Sequence, residues 1–334
     1  MVKVGLIGCG YWGPNLIRNF MDIKGAWISH ICDLDKNALA RLNKRYPSLV
    51  TTTEYKEILR SPKIDAVVIA TPVRTHFSLA REALLEGKHV LVEKPLAASV
   101  REAEQLIKIA QKAQLCLMVD HTFVYSEPVK ALRKLMSELG ELRYFDSVRV
   151  NLGLFQKDIN VIWDLAPHDL SILLYLIDQD PEEVSAIGIG HINPDIENTA
   201  YLVLKFKNRF IAHFHFNWLS PVKIRQTLVA GSKKMLVYDD LNALEQVKIY
   251  DYGVAQHKNK SAPLVDYRTG DIYSPHVEKT EALYNVCNDF VHSIIKDSKP
   301  VSDGTFGLRV VRILEAAQYS IKHGGVFVRP ENGS

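Results

Sequence analysis

Cysteine is scarce and unpatterned. The 334-residue chain has four, and Cys9, Cys32, Cys116 and Cys287 show no C-x-x-C spacing. Three of them sit at or in strand-like apolar runs, where a free thiol behaves as a small buried hydrophobe. That pattern argues against a disulfide framework and for a reducing compartment. No apolar run approaches the roughly 18 to 20 residues that span a bilayer. There is no basic tail and no run of five like charges, and the net charge of +3 is close to neutral for this size. Nothing in the charge therefore points to nucleic acid or a membrane surface as a partner. Internal repeats and low-complexity tracts are also absent. The chain opens directly into Val2-Lys3-Val4-Gly5-Leu6-Ile7, which leaves no room for a signal peptide and sets the expectation of a cytoplasmic protein.

What is present is enough chain for two domains, each with a substantial core. Up to about residue 120, β-branched runs (Val2–Ile7, Trp27–Cys32, Ala66–Ala70, His89–Val92, Leu115–Val119) alternate with helical stretches near 13–23, 36–45, 75–86 and 99–113. This alternation predicts an α/β domain over 1–121, a doubly wound parallel sheet with right-handed crossovers. From residue 122 to 334 the grammar changes. One helix over about 127–139 leads into alternating segments at Leu142–Val150, Val184–Ile192, Asn198–Phe206, Phe210–Trp218, Ile224–Ala230 and Met235–Tyr238. Consecutive strands with few helices between them predict an open, mainly antiparallel sheet in an α+β domain. The stretch 253–276 reads as polar and irregular, and helices over about 277–296 and 303–322 close the chain, free to pack back on the first domain.

Three short pieces carry the chemistry. Gly8-Cys9-Gly10-Tyr11-Trp12-Gly13 follows a strand and opens a helical stretch. In that place the glycines allow a tight turn and close backbone approach, and the helix N-terminus receives a pyrophosphate. Asp33 ends the second strand, 20 residues after Gly13, where a carboxylate can accept hydrogen bonds from adenosine ribose hydroxyls. Its charge, with Leu34 rather than an arginine next to it, favours NAD over NADP. Thr71-Pro72, with His76 four residues on, follows the strand Ala66–Ala70 at the edge where ligands sit. It is a candidate cover for the nicotinamide, or else a plain turn with an exposed histidine.

Glu93-Lys94-Pro95 places an amine at the same edge, with Pro95 restricting Lys94 away from helical geometry and Glu93 as its neighbour. A surface lysine is the bland alternative. Farther on, Asp164 and His168 are four apart at the start of a helical stretch and so share one face. Ser171 and Tyr175 continue that face, while Leu170, Leu173, Leu174 and Ile177 mark the buried one and Pro167 is placed in the first turn. Here the alternative is an N-cap aspartate and an ordinary surface histidine. Together the three pieces suit moving a hydride between a dinucleotide and an alcohol carbon. His213-Phe214-His215, with His191 elsewhere, has no Cys, Asp or Glu completing a metal set, and no metal is expected.

On Gly-Cys-Gly-Tyr-Trp-Gly, Ala-Thr-Pro-x-x-x-His (70–76), Glu-Lys-Pro and Asp-x-x-x-His, the chain resembles the glucose-fructose oxidoreductase/inositol dehydrogenase (Gfo/Idh/MocA) family over nearly its full length. The resemblance implies a Rossmann domain followed by a domain whose open sheet face is buried in oligomers, here a homodimer or homotetramer. Family members use the Glu-Lys-Pro lysine with the Asp-x-x-x-His pair, which correspond to Lys94, Asp164 and His168. His168 would then act as general base on a secondary hydroxyl. Lys94 would stabilise the developing alkoxide, and Asp164 would orient the pair. The candidate cofactor contacts are Gly8, Gly10, Tyr11, Trp12, Gly13, Asp33, Thr71, Pro72, His76 and Glu93.

The segments 217–225, 267–272 and 160–169 resemble family members of nucleotide-sugar and surface-polysaccharide pathways. On that footing Trp163 is a candidate substrate contact. Lys223, Arg225 and Arg268 are candidates to pair with a diphosphate, or else solvated turn charges. The substrate expected is a UDP-linked N-acetylhexosamine or its uronic acid, oxidised at C3. The alternatives are a free inositol or hexose dehydrogenase, a 3-ketosugar reductase, and, from another class, a catalytically inactive dinucleotide-binding regulator.

Overall fold

A computed structural model describes residues 1–153, 155–156, 158–256 and 265–330. In chain order the elements are β1 (Val2–Ile7), α1 (Gly13–Asp22), β2 (Ala26–Cys32), α2 (Lys36–Arg45), β3 (Val50–Thr52), α3 (Tyr55–Arg60), β4 (Ala66–Ile69), α4 (His76–Leu85), β5 (His89–Glu93), α5 (Val100–Ala113) and β6 (Leu117–Asp120). There follow α6 (Glu127–Leu135), β7 (Leu142–Leu152), α7 (Val161–Ile177), β8 (Glu183–Ile189), β9 (Thr199–Lys205), β10 (Ile211–Asn217), β11 (Leu219–Gly231), β12 (Met235–Asp239) and β13 (Val247–Tyr250). The short strands β14 (Gly253–Gln256), β15 (Val265–Arg268) and β16 (Ile272–Tyr273) precede α8 (Ala282–Lys296) and α9 (Gly304–Lys322). The chain divides into two compact units, Met1–Tyr125 with Thr280–Arg312, and Ser126–Lys279 with the residues from Ile313 on.

The first unit carries a six-stranded sheet in the order β3-β2-β1-β4-β5-β6, parallel throughout. This is the strand order of a dinucleotide-binding Rossmann sheet. Helices cover both faces, so β4 and β6 are buried at every residue, as continuous apolar runs require. Two elements here exceed what the sequence pattern gave, namely β3 and α3. β3 is a three-residue edge strand of Val50, Thr51 and Thr52, too short and polar to stand out by periodicity.

The second unit has an eight-stranded sheet, β16-β13-β12-β11-β7-β10-β9-β8. It is antiparallel except where β10 runs parallel to β7. That exception follows from α7, which with β8 and β9 makes the connection from β7 to β10 and packs on β7, β9 and β10. Burial alternates along β9 and β10. Ala200, Leu202, Leu204, Ala212, Phe214 and Phe216 face inward, while His213 and His215 stack their rings on Tyr201 across the opposite, open face.

The stretch 253–276 is more regular than its polarity suggests. β14 and β15 pair as a hairpin and β16 adds to β13, while residues 257–264 lie outside the described residues. The helix expected from 277 begins at Ala282, because the carboxylate of Glu281 is engaged by Arg18 and Asn19 instead. Among the described residues no helix is long and apolar enough to cross a membrane, and no three His, Cys, Asp or Glu side chains come together as metal ligands.

Candidate functional site

The glycine turn between β1 and α1 is shaped by what a side chain would hit. Gly8 has φ +99°, and a Cβ there would lie 2.3 Å from the Ala70 carbonyl oxygen. A Cβ on Gly13 would lie 2.5 Å from the Gly8 oxygen. These two positions let β1, the turn and α1 close on one another. Gly10 is different, since a Cβ there would meet nothing within 4 Å. Its bareness leaves open room in front of the turn, at a helix start with no side-chain cap, which fits an incoming pyrophosphate. Tyr11 and Trp12 are exposed on the same turn, with their rings edge to face at 5.3 Å.

Asp33 follows β2 with its carboxylate partly exposed. It accepts from the Cys9 amide at 2.5 Å and the Asp35 amide at 2.8 Å. Those two bonds aim the carboxylate beside the glycine turn, where ribose hydroxyls of a dinucleotide would meet it. Cys9 is buried and its thiol is pushed up to about 12, by burial first and by Asp33 next, so it is no nucleophile here.

Thr71 and Pro72 follow β4, the first partly exposed and the second exposed, but His76 is placed differently from the exposed histidine of the plain-turn reading. His76 is fully buried. One ring nitrogen meets the Pro95 carbonyl at 2.8 Å and the other meets the Thr71 carbonyl at 2.8 Å. The ring is wedged between the 71–72 turn and the 94–95 turn, and a neutral imidazole donates to only one of the two carbonyls. It is not an exposed histidine. Burial lowers its basicity, against the pull of the two carbonyls.

Lys94 leaves the end of β5, and the Lys94–Pro95 peptide is cis. Its neighbour Glu93 pairs in register with Asp120 at the end of β6. Their carboxyls hydrogen-bond, and Glu93 also takes the Lys94 main-chain N–H. Burial pushes Glu93 well above the usual carboxylate range, with Asp120's charge adding to it. Burial likewise raises Asp120 to about 6, against the lowering pull of its Thr122 bond. Two carboxyls that hydrogen-bond in this way titrate as a pair.

Pattern reading did not single out Asp120 or His121. His121 is 1% exposed, and among the described residues neither ring nitrogen has a hydrogen-bond partner. Its pKa is pushed down to about 3, by burial and then by the Lys94 charge, so it is a neutral imidazole. The signal available was position alone, since both residues sit where β6 reaches the ligand edge of the sheet.

In the second unit, α7 carries Asp164 and His168 on one partly exposed face, with Trp163 beside them. The helix is capped by Asn160 rather than Asp164. The Asn160 side chain accepts from the Trp163 N–H at 3.1 Å and donates to Glu197 and Gln318, both at 2.7 Å. Asp164 accepts from the indole N–H of Trp218 at 3.1 Å, and Trp218 is buried. Pro167 lies seven residues into the helix, not in its first turn. An interior proline costs about 3 kcal/mol in a helix. The buried Leu170, Ile172, Leu173, Leu174 and Leu176 offset this at about 1.5–3 kcal/mol each. Ser171, expected on the exposed stripe, is buried and donates to the His168 carbonyl at 2.7 Å.

The three cationic candidates for a diphosphate do not form one cradle. Arg225 pairs with Asp240 at 3.1 Å. Arg268 pairs with Asp251 at 2.7 Å and donates to the Lys233 carbonyl. Asp240 and Lys233 flank opposite ends of β12, so the two arginines are separated by the length of a five-residue strand, roughly 16 Å. Lys223 is exposed.

Residues 2–121 match the family model described as the oxidoreductase family, NAD-binding Rossmann fold. Residues 132–237 match the GFO/IDH/MocA C-terminal domain. The chain is 29% identical over 322 residues to the UDP-N-acetylglucosamine 3-dehydrogenase of Acidithiobacillus ferrooxidans, covering 93% of this chain and 94% of that one. A solved structure of that enzyme superposes with a TM-score of 0.82 at 24% identity, over 96% of this chain and 97% of that one. The chain is also 22% identical over 347 residues to the scyllo-inositol 2-dehydrogenase (NADP(+)) IolW of Bacillus subtilis, covering 96% and 94%.

Proposed function

This chain belongs to the GFO/IDH/MocA oxidoreductase family, whose first domain binds NAD, and from that premise we propose that it oxidises a secondary hydroxyl, at C3, of a UDP-linked N-acetylhexosamine or its uronic acid. The observation that carries the proposal is the fixed stripe of Asp164 and His168 on α7, with Trp218 holding the carboxylate. Bound nicotinamide supplies the hydride acceptor. His168 takes the hydroxyl proton and returns it in the reverse direction. Lys94 donates a hydrogen bond to the oxygen as negative charge develops there. Asp164 orients the imidazole. The alcohol carbon loses a hydride, its oxygen loses a proton, and a ketone is left.

The near full-length likeness to a UDP-N-acetylglucosamine 3-dehydrogenase supports the substrate class. One observation favours a second reading, a free inositol or hexose dehydrogenase. Arg225 and Arg268, which a diphosphate would want, are already paired with Asp240 and Asp251. The two are separated by following absorbance at 340 nm with NAD and, in parallel, UDP-N-acetylglucosamine, its uronic acid, myo-inositol and glucose. Mass spectrometry of the sugar covers the case of a retained, recycled cofactor. A loss of two mass units from a nucleotide sugar supports the first reading, and a loss only from free polyols supports the second. The proposed assembly is a homodimer or homotetramer closed over the open face of the second sheet, which light scattering tests.

A further inference from the structure

Asp169 follows His168 directly, yet its side chain points the other way. One residue along a helix turns roughly 100°, which takes Asp169 off the reacting stripe. Its neighbours at three, four and seven residues are Ala166, Leu173 and Leu176, all buried. An apolar side chain at 169 would complete that stripe. Instead the position holds a carboxylate that accepts from Arg149 Nε at 2.5 Å, from Arg149 Nη2 at 3.2 Å and from Ser147 Oγ at 2.9 Å. Both charged side chains are 3% exposed, so neither can touch a substrate.

The arginine lies among other polar side chains of the sheet. Arg149 lies on β7, between β10 and β11, directly across from Arg225. Arg225 and Tyr238 both bond Asp240, at 3.1 Å and 2.9 Å. Ser147 also meets Thr227 at 3.3 Å. Two arginines and two aspartates balance under α7.

A buried ion pair is a poor way to gain stability, because desolvation consumes most of the attraction. What a forked arginine–carboxylate contact adds is direction, since it closes in only one relative placement of its partners. A stripe of alanine and leucine tolerates sliding and rolling. We infer that Arg149 and Asp169 are a positioning pair, fixing the roll and axial register of α7 so that the His168 ring is presented at its working point. This rests on the role given to His168 above.

The test replaces both charges together, as Arg149→Met/Asp169→Leu, since removing one alone leaves the other buried and unpaired. Asp169→Glu serves as a second variant that keeps the charge and displaces it by one methylene. Thermal unfolding and NAD calorimetry establish that each is folded. The first readout is steady-state kinetics on the substrate found above. The expected result is kcat lowered about 10- to 100-fold with KM within about twofold, as for a small misplacement of a reacting group. The second readout needs no substrate. Histidine-labelled protein, with the His168 signal assigned through His168→Gln, is followed by NMR across a pH titration. The signal is expected to move or broaden in both variants. Folded variants with wild-type kcat and an unmoved His168 signal would overturn the inference. Should the wild type oxidise no sugar, the assignment of function fails by that control, and the NMR arm alone decides the positioning role.

Discussion

At the carboxyl edge of the first sheet, most of the polar contacts run to main-chain groups. The glycine turn presents amides, Glu93 binds the amide of Lys94, and His76 is wedged between the carbonyls of two turns. On α7 the arrangement is made by side chains brought from afar. Trp218 holds Asp164 across 54 residues, Asn160 reaches Gln318 across 158, and Arg149 holds Asp169 across 20. The contrast teaches that the cofactor half depends on backbone shape and the chemical half on long-range side-chain anchoring. The two halves should therefore fail differently when mutated.

The largest effect is expected in the glycine turn, where two neighbouring glycines separate shape from ligand space. Gly10→Val places its Cβ in open space, so the unfolding temperature should stay within about a degree while NAD affinity falls about 100-fold by calorimetry, a loss of roughly 2.7 kcal/mol. Gly8→Ala places its Cβ against the Ala70 oxygen at a positive φ. It should lower the unfolding temperature by several degrees as well, a cost of roughly 1–3 kcal/mol. Equal thermal loss in both variants would break the distinction.

A smaller effect is expected at Trp218. Trp218→Phe keeps most of the ring but removes the donor to Asp164. Stopped-flow or steady-state rates should show kcat down about fivefold to tenfold, near the roughly 1–1.5 kcal/mol of one hydrogen bond, with NAD affinity unchanged. An unchanged kcat would mean that Asp164 needs no anchor.

The smallest effect concerns the carboxyl pair under Lys94. Asp120 is raised from 3.8 to about 6, and burial also raises Glu93 well above the usual carboxylate range. The folded state thus binds more protons than the unfolded state in that window. Stability contributed by Asp120 is present below about pH 4 and is lost as pH rises through about 6. Urea midpoints of the wild type should decline across this window, and Asp120→Asn should flatten the decline. A variant with the same slope as the wild type would assign the pH dependence elsewhere.

Most of the first unit was legible in the sequence because its constraints are local. A turn that admits only glycine at 8 and 13, and a carboxylate at a fixed distance after it, leave a short pattern. The Asp164–His168 stripe was legible for the same reason, since four residues make one helical turn. The anchor and the counter-charge were not. Trp218 and Arg149 act across sheet pairings that no local pattern encodes. Pro167 suggested a helix start but sits in the interior, where the buried leucines hold the helix against it. Arg225 and Arg268 looked available because their partners, Asp240 and Asp251, lie 15 and 17 residues away.

The proposed chemistry turns on Lys94 and His168. Single-turnover formation of NADH with a UDP-linked N-acetylhexosamine, in the wild type, Lys94→Met and His168→Gln, tests that most directly. About one equivalent in the wild type, with each variant binding NAD normally yet slowed at least about 100-fold, is the expected result. Turnover at the wild-type rate in either variant would contradict it.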